Sequence, residues 1–300
     1  MSDLNKPLLV QKFGGTSLAD INGFTASAEV IGMYTDEHRV IVVLSAVKGV
    51  TDLLLAAIDT AVDGGDGVVH LEEAIARERA VVDALAEQGI DTPLASAFLK
   101  EQYETLSRRV QGIQLLEQCP EETRARILAT GEGFSSRLMV DVLQGKGYRA
   151  EWSDTDVLPP ANQDWLDSLI DIEAATPLLK ERLQSDSQVV VLPGFFGRNA
   201  EGGIQLLGRN GTDYSAAAIA AAAGARLCQI WKDVDGFFTA DPRIVRNARC
   251  LEEVSYDEAM ELTYFGAKVI SAKALTPLAA NDIPCEVRNT YDPSMPGTLV

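Results

Sequence analysis

The stretch Leu8-Leu9-Val10-Gln11-Lys12-Phe13-Gly14-Gly15-Thr16-Ser17 decides how the chain is read. Its first six residues form an apolar run of strand length, and two glycines and two hydroxyl residues follow at once. Glycine lets backbone come close to a ligand, the amides and hydroxyls can donate, and Lys12 sets a point charge at the strand end, so this turn suits an anion. A tight turn with an N-cap and a solvated lysine is the other reading of the same residues.

Outward from this segment the pattern recurs. Residues 40–46, 188–195, 227–231 and 285–289 are further strand-length runs flanked by Gly, Asp or Lys. Helical spacing marks 24–34, 71–88, 94–117, 134–144, 166–183, 214–223 and 256–263. Near-continuous apolar strands alternating with helices predict an α/β fold, a three-layer αβα sandwich around a mainly parallel sheet. Ligands of such sheets sit beyond the carboxyl ends of the strands, which directs the reading to the strand-exit loops.

The 300 residues are 46% hydrophobic, enough to bury a core without disulfides or metals. There are 26 Lys and Arg against 44 Asp and Glu, a formal charge of −18 spread over both halves, which argues against nucleic acid as a partner. With His38 and His70 the only histidines, His-rich metal sites are excluded, and chemistry falls to Lys, Arg, Asp, Glu and backbone amides. Cys119, Cys228, Cys250 and Cys285 show no C-x-x-C spacing, which fits free thiols of a reducing, cytoplasmic compartment. No leader and no membrane span is read in these residues, and without a linker or repeat one domain with two lobes is expected.

Three later segments carry chemistry. Leu207-Gly208-Arg209-Asn210-Gly211-Thr212-Asp213-Tyr214 runs into an Ala-rich helix whose start offers free N–H groups to an anion. There Asp213 either caps the helix or points inward to orient a cation. The run from Trp231 to Arg243 leaves a strand with aromatics and carboxylates together, as a base pocket or as a surface loop with buried Phe237 and Phe238. Glu132 lies between Gly131 and Gly133, where a helix-connecting turn is the plain alternative, and Lys268 is either a phosphate ligand or a surface lysine. The P-loop, the strand-linked G-x-G-x-x-G and the protein-kinase signatures are absent.

Together these segments resemble the aspartokinases of the amino-acid kinase family, and the kinase portion of bifunctional aspartokinase/homoserine dehydrogenases most. The resemblance starts at Lys12-Phe13-Gly14-Gly15-Thr16-Ser17 and runs through Gly131-Glu132, 207–215, 231–243 and Tyr264-Phe265-Gly266-Ala267-Lys268-Val269 to the last residues. It implies the carbamate kinase-like fold, with an amino-acid lobe over about residues 1–206, a nucleotide lobe over about 207–300, and no ACT-type or dehydrogenase domain in these residues. It implies transfer of the γ-phosphoryl of MgATP to the side-chain carboxylate of L-aspartate, the first step towards lysine, threonine and methionine. Lys12 would contact the moving phosphoryl group and Asp213 would orient the catalytic lysines. Ser45, Thr51, Glu132, Arg209 and Thr212 would hold aspartate, with Arg209 on the α-carboxylate and Glu132 on the ammonium. ATP would lie on Gly14, Gly15, Thr16, Lys232, Asp233, Phe238, Asp241, Arg243 and Lys268, with no protein residue set assigned to a metal. Homo-oligomers are expected, with residues 71–130 as the contact region. Three departures from the family pattern fall on the nucleotide side: Lys232 for a Thr or Ser, Phe238 for a Tyr, and Ile270-Ser271-Ala272-Lys273 in place of a His-Pro. A kinase acting on glutamate or an N-acylated amino acid, and a binding module of the same fold without turnover, are the competing readings.

Overall fold

A computed structural model describes residues 6–267 and 269–300. The first part of the chain runs β1 (Leu8–Phe13), α1 (Ile21–Tyr34), β2 (Arg39–Leu44), α2 (Val50–Val62), α3 (Val68–Glu87), α4 (Pro93–Leu116), α5 (Glu121–Leu128), α6 (Thr130–Gly145) and β3 (Ala150–Trp152). It continues through α7 (Ile172–Arg182), β4 (Val189–Pro193), β5 (Phe196–Arg198), β6 (Ile204–Leu206), α8 (Gly211–Ala223), β7 (Leu227–Lys232), α9 (Tyr256–Tyr264), α10 (Ala272–Ala280), β8 (Cys285–Asn289) and β9 (Thr298–Leu299).

Seven strands form one sheet in the order β3-β4-β2-β1-β7-β8-β9, parallel except for β9, and β5 pairs with β6 in a small hairpin. Alternate side chains of each central strand enter different cores. Leu9, Phe13, Val40, Val42 and Leu44 join the core under α1 to α6, whereas Val10, Ile41, Val43, Val190 and Ile230 join the one under α7 to α10. A strand buried on both faces is apolar at most positions, and this is the three-layer sandwich the sequence predicts.

The crossover from β1 passes through α1 on one face, and that from β7 passes through α9 and α10 on the other. The gap between β1 and β7 is therefore a topological switch point, where two exit loops part and leave a crevice. Register across it is pinned by buried amides: Gln11 Nε2 donates to Gln229 Oε1 at 2.8 Å, and Gln229 Nε2 donates to Glu286 Oε2 at 2.8 Å. A one-residue slip would strand these groups in the core.

One predicted helix changes its start. Residues 160–170 make bridges, Pro160 with Ile170 and Asp167 with Leu207, and α7 begins only at Ile172. The Asp171 carboxylate fixes that start by accepting from Ala174 N at 3.0 Å. Among the described residues, no helix is long and apolar enough to cross a membrane.

Candidate active site

At the carboxyl end of β1, Lys12 points away from the α1 face towards α8, because Leu9, Gln11 and Phe13 take the other parity. There its Nζ lies 2.6 Å from Asp213 Oδ1, both groups buried. Lys232, the last residue of β7, donates from Nζ to Asp213 Oδ2 at 2.9 Å. One carboxylate thus holds two ammonium groups across the switch point, and one positive charge remains for a ligand. Burial alone would raise the Asp213 carboxyl, but Lys12 and Lys232 outweigh it and hold it below its usual value. Burial, helped by Lys232, pulls Lys12 below an ordinary ammonium despite Asp213. Bare backbone at Gly14 makes room for this, since a Cβ there would sit 3.2 Å from Lys12 Nζ.

Glu132 obeys the opposite rule. It lies in the first turn of α6, not in a connecting turn, because the bare Cα of Gly131 lets that turn press on Ala46, where a Cβ would come within 2.7 Å. Burial pushes its carboxyl up to about 8, against backbone donors that include Ala46 N and a weaker pull from Lys12. Oε2 of Glu132 has no hydrogen-bond partner. Behind it Glu78, on α3, is 4% exposed with Oε1 also unpartnered, and burial followed by repulsion from Glu132 raises its carboxyl well above normal. Two buried carboxyls here share a region without a cation of their own.

Both arrangements open into one cleft of about 460 Å³. The first turns of α2 and α8 face it with Thr51, Asp52, Thr212 and Asp213, so two helix N-termini add partial positive charge to a strongly acidic chain. Its loops are stitched together: Gly14 N donates to Trp231 O at 3.2 Å, Ser45 N to Phe13 O at 3.1 Å and Gly194 N to Leu44 O at 2.9 Å. Phe195 lines the cleft with φ at +73°, a strained conformation for a residue with a Cβ, and Phe195 N donates to Ser215 Oγ at 3.3 Å.

Of the residues singled out from sequence, Lys12, Gly14, Gly15, Thr16, Ser45, Thr51, Glu132, Thr212, Asp213, Lys232 and Asp233 line this cleft together. Arg209 is exposed and does not line it, although its neighbour Asn210 does. Phe238 bridges to Cys250, and Asp241 and Arg243 bind each other at 2.8 Å outside the cleft. Lys268 lies outside the described residues. Asn210, part of the loop quoted above though given no role there, lines the cleft with Lys48, Asp52 and Phe195, which no sequence motif assigned to a site, and Glu78 lies behind it. Glu78 had a signal, for it falls on the apolar stripe Leu71, Ala74, Ile75, Val81 and Leu85 of α3.

A model of the amino acid kinase family matches residues 7–289. The chain belongs to the amino acid kinase family. Within the family, it is 37% identical over 296 residues to a bifunctional aspartokinase/homoserine dehydrogenase of Buchnera aphidicola, covering 96% of this chain and 36% of that protein. It is 32% identical to the lysine-sensitive aspartokinase 3 of Escherichia coli, over 98% of this chain and 64% of that one. The crystal structure of E. coli aspartokinase III with aspartate and ADP superposes with a TM-score of 0.82 at 31% identity, again over 98% of this chain and 64% of that one. Carbamate kinase from Giardia lamblia, 11% identical with a TM-score of 0.58 over 97% and 95%, shares the family fold. The chain therefore spans between about a third and two thirds of these aspartokinases.

Proposed function

We propose that the chain is an ATP-dependent aspartate kinase that forms 4-phospho-L-aspartate, the entry to lysine, threonine and methionine, in the cytoplasm. The observation that carries this reading is the pairing, in one cleft, of a lysine–carboxylate–lysine cluster with a buried carboxyl that lacks a cation. The cluster suits phosphates and the carboxyl suits an ammonium group, and an amino acid with a second carboxylate brings both chemistries together.

In this reading the β-carboxylate attacks the γ-phosphorus of MgATP, an oxygen–phosphorus bond forms, and the bond to the bridging oxygen breaks as ADP leaves. The attacking carboxylate is already ionised at neutral pH and needs no general base. Lys12 neutralises charge spreading over the transferred group, Asp213 holds Lys12 and Lys232 in place, and Gly14, Gly15 and Thr16 donate to phosphate oxygens. Asp233, which lines the cleft next to Lys232, would help hold the Mg²⁺ of MgATP, which would supply neutralisation of phosphate charge when bound. Ser45, Thr51, Glu132 and Thr212 hold the amino acid, and Arg209 swings over the rim to grip its α-carboxylate in a bidentate fork. Residues before about 206 then form the amino-acid lobe and those after 207 the nucleotide lobe, where Phe238, Asp241, Arg243 and Lys268 serve the nucleotide. Exposed Leu115 and Leu116 at the end of α4 support self-association through residues 71–130.

A hydroxylamine trap tests the assignment, because an acyl phosphate becomes a hydroxamate. Hydroxamate from L-aspartate with MgATP, and not from L-glutamate or N-acetylglutamate, is the expected result. Formation from glutamate instead would move the substrate, and none from any amino acid would leave a binding module.

A further inference from the structure

A second cavity, of about 170 Å³, lies past the other side of the first α6 turn, over the exit ends of β3 and β4. Four arginines from four different elements line it: Arg109 of α4, Arg126 of α5, Arg137 of α6 and Arg198 of β5. Four of the 26 basic residues of a chain carrying −18 thus meet at one small hollow. Like charges are expensive to gather, and such a cluster persists when something else offsets the repulsion.

The carboxylates nearby do so only in part. Asp154 takes Arg198 Nε at 3.0 Å and Glu122 takes Arg126 Nη2 at 2.9 Å. Among the described residues neither Arg109 nor Arg137 has an ion-pair partner, and Arg109 has no hydrogen-bond acceptor at all. Arg137 is nonetheless rigidly placed: its guanidinium lies 3.8 Å from the Trp152 ring centre and 4.3 Å from that of Phe98, and Nη1 donates to Gly133 O at 2.7 Å. Burial, and then Arg126, lowers the affinity of Arg109 for its proton, and burial lowers that of Arg137 to about 10 against the opposing pull of Asp154 and Glu101, with Arg198 adding to the lowering. A clamped guanidinium beside an unpartnered one, in a hollow walled by aromatic rings, is the arrangement that binds oxyanions in a fork.

We propose that this hollow is a binding site for a small, multiply charged oxyanion of carboxylate or phosphate type, separate from the kinase cleft. Thr130 and Gly133 line it, and Glu132 lies between them in sequence and faces the cleft. The occupant therefore acts on the turn that carries Glu132, and its binding is linked to occupancy of the cleft.

Titration calorimetry on the whole chain, with citrate and separately with inorganic phosphate as probes, tests this without any activity readout. Binding of at least one probe is expected, weakened about ten- to hundredfold in Arg109→Gln, which loses a charge-assisted contact. Arg126→Gln, on a different helix, repeats the measurement with an independent variant, and thermal unfolding shows that both are folded. Lys12→Ala should leave the affinity unchanged. Absence of binding at millimolar probe overturns the proposal, as does binding that Lys12→Ala abolishes and Arg109→Gln spares, since that places the anion in the kinase cleft. Binding equal in all four proteins reveals an adventitious ion only and overturns it too.

Discussion

Asp213 and Glu132 are buried carboxyl groups on the same cleft, and their environments push them in opposite directions. Asp213 is supplied with two lysines by the chain itself and stays ionised. Glu132 is given backbone donors but no adjacent cation, and its carboxyl rises to about 8. What separates them is who provides the counter-charge. A group neutralised from within is a fixed part of the apparatus, whereas a group left short is completed by what binds.

Breaking the first arrangement gives the largest effect. Removing one donor aimed at developing charge costs about 2.7–4 kcal/mol, so Lys12→Ala should lower kcat in a hydroxamate assay by about two to three decades. Lys232 still pairs with Asp213 in that variant and protects the fold. A loss below tenfold would take Lys12 out of the phosphoryl path.

Next comes Glu132→Gln, which keeps shape and removes the charge offered to an ammonium. Loss of a charged hydrogen bond of about 1.5–3 kcal/mol predicts a ten- to hundredfold rise in KM for aspartate, with KM for ATP little changed. In the parent, KM for aspartate should fall as pH rises towards 8 and Glu132 ionises, and in the variant this slope should vanish. A slope that survives the substitution belongs to another group.

The same variant sharpens the comparison through stability. The unfolded chain releases the Glu132 proton near the ordinary carboxylate value, whereas the folded chain keeps it to about 8, so the folded state binds more protons between these limits. Stability attributable to this carboxyl is then intact at low pH and declines as pH climbs through that window. Glu132→Gln should gain on the parent between pH 5 and 8.5 by about 1–3 kcal/mol, read from paired urea melts. A constant difference would mean that Glu132 titrates normally.

The smallest effect is expected at the partner of Asp213 nearer to solvent. Lys232→Thr leaves the Lys12 pair in place and removes a charge that is 17% exposed, so KM for ATP should rise about fivefold, or about 1 kcal/mol. An unchanged value would confine Lys232 to holding Asp213.

The central strands were legible because burial on both faces favours mostly apolar runs of strand length, as in residues 8–13, which match β1 end for end; residues 285–289 match β8 equally, with Cys285 and Val287 buried and Glu286 and Arg288 between them. By contrast α2 has no start signal, for Gly49 at φ +80° precedes it without a side-chain cap. The glycine turn and Lys12 could be read as an anion cradle from local chemistry alone. The bond between Lys232 and Asp213 could not, because it depends on which strand lies beside β1. Glu78 shows a third case: its signal was present in the helical spacing, and only packing against Glu132 gives it meaning.

The in-register amides of Gln11 and Gln229 also have a consequence for how the molecule comes into being. β1 pairs with β2 nearby in sequence, but its other edge waits for β7, with Leu9 opposite Leu227. Closing that long loop is entropically costly and slow, so the middle of the sheet is completed late. Until residue 227 has emerged from the ribosome, β1 is an open edge with a glutamine and a lysine facing partners not yet made, and the nascent chain there is most exposed to mispairing.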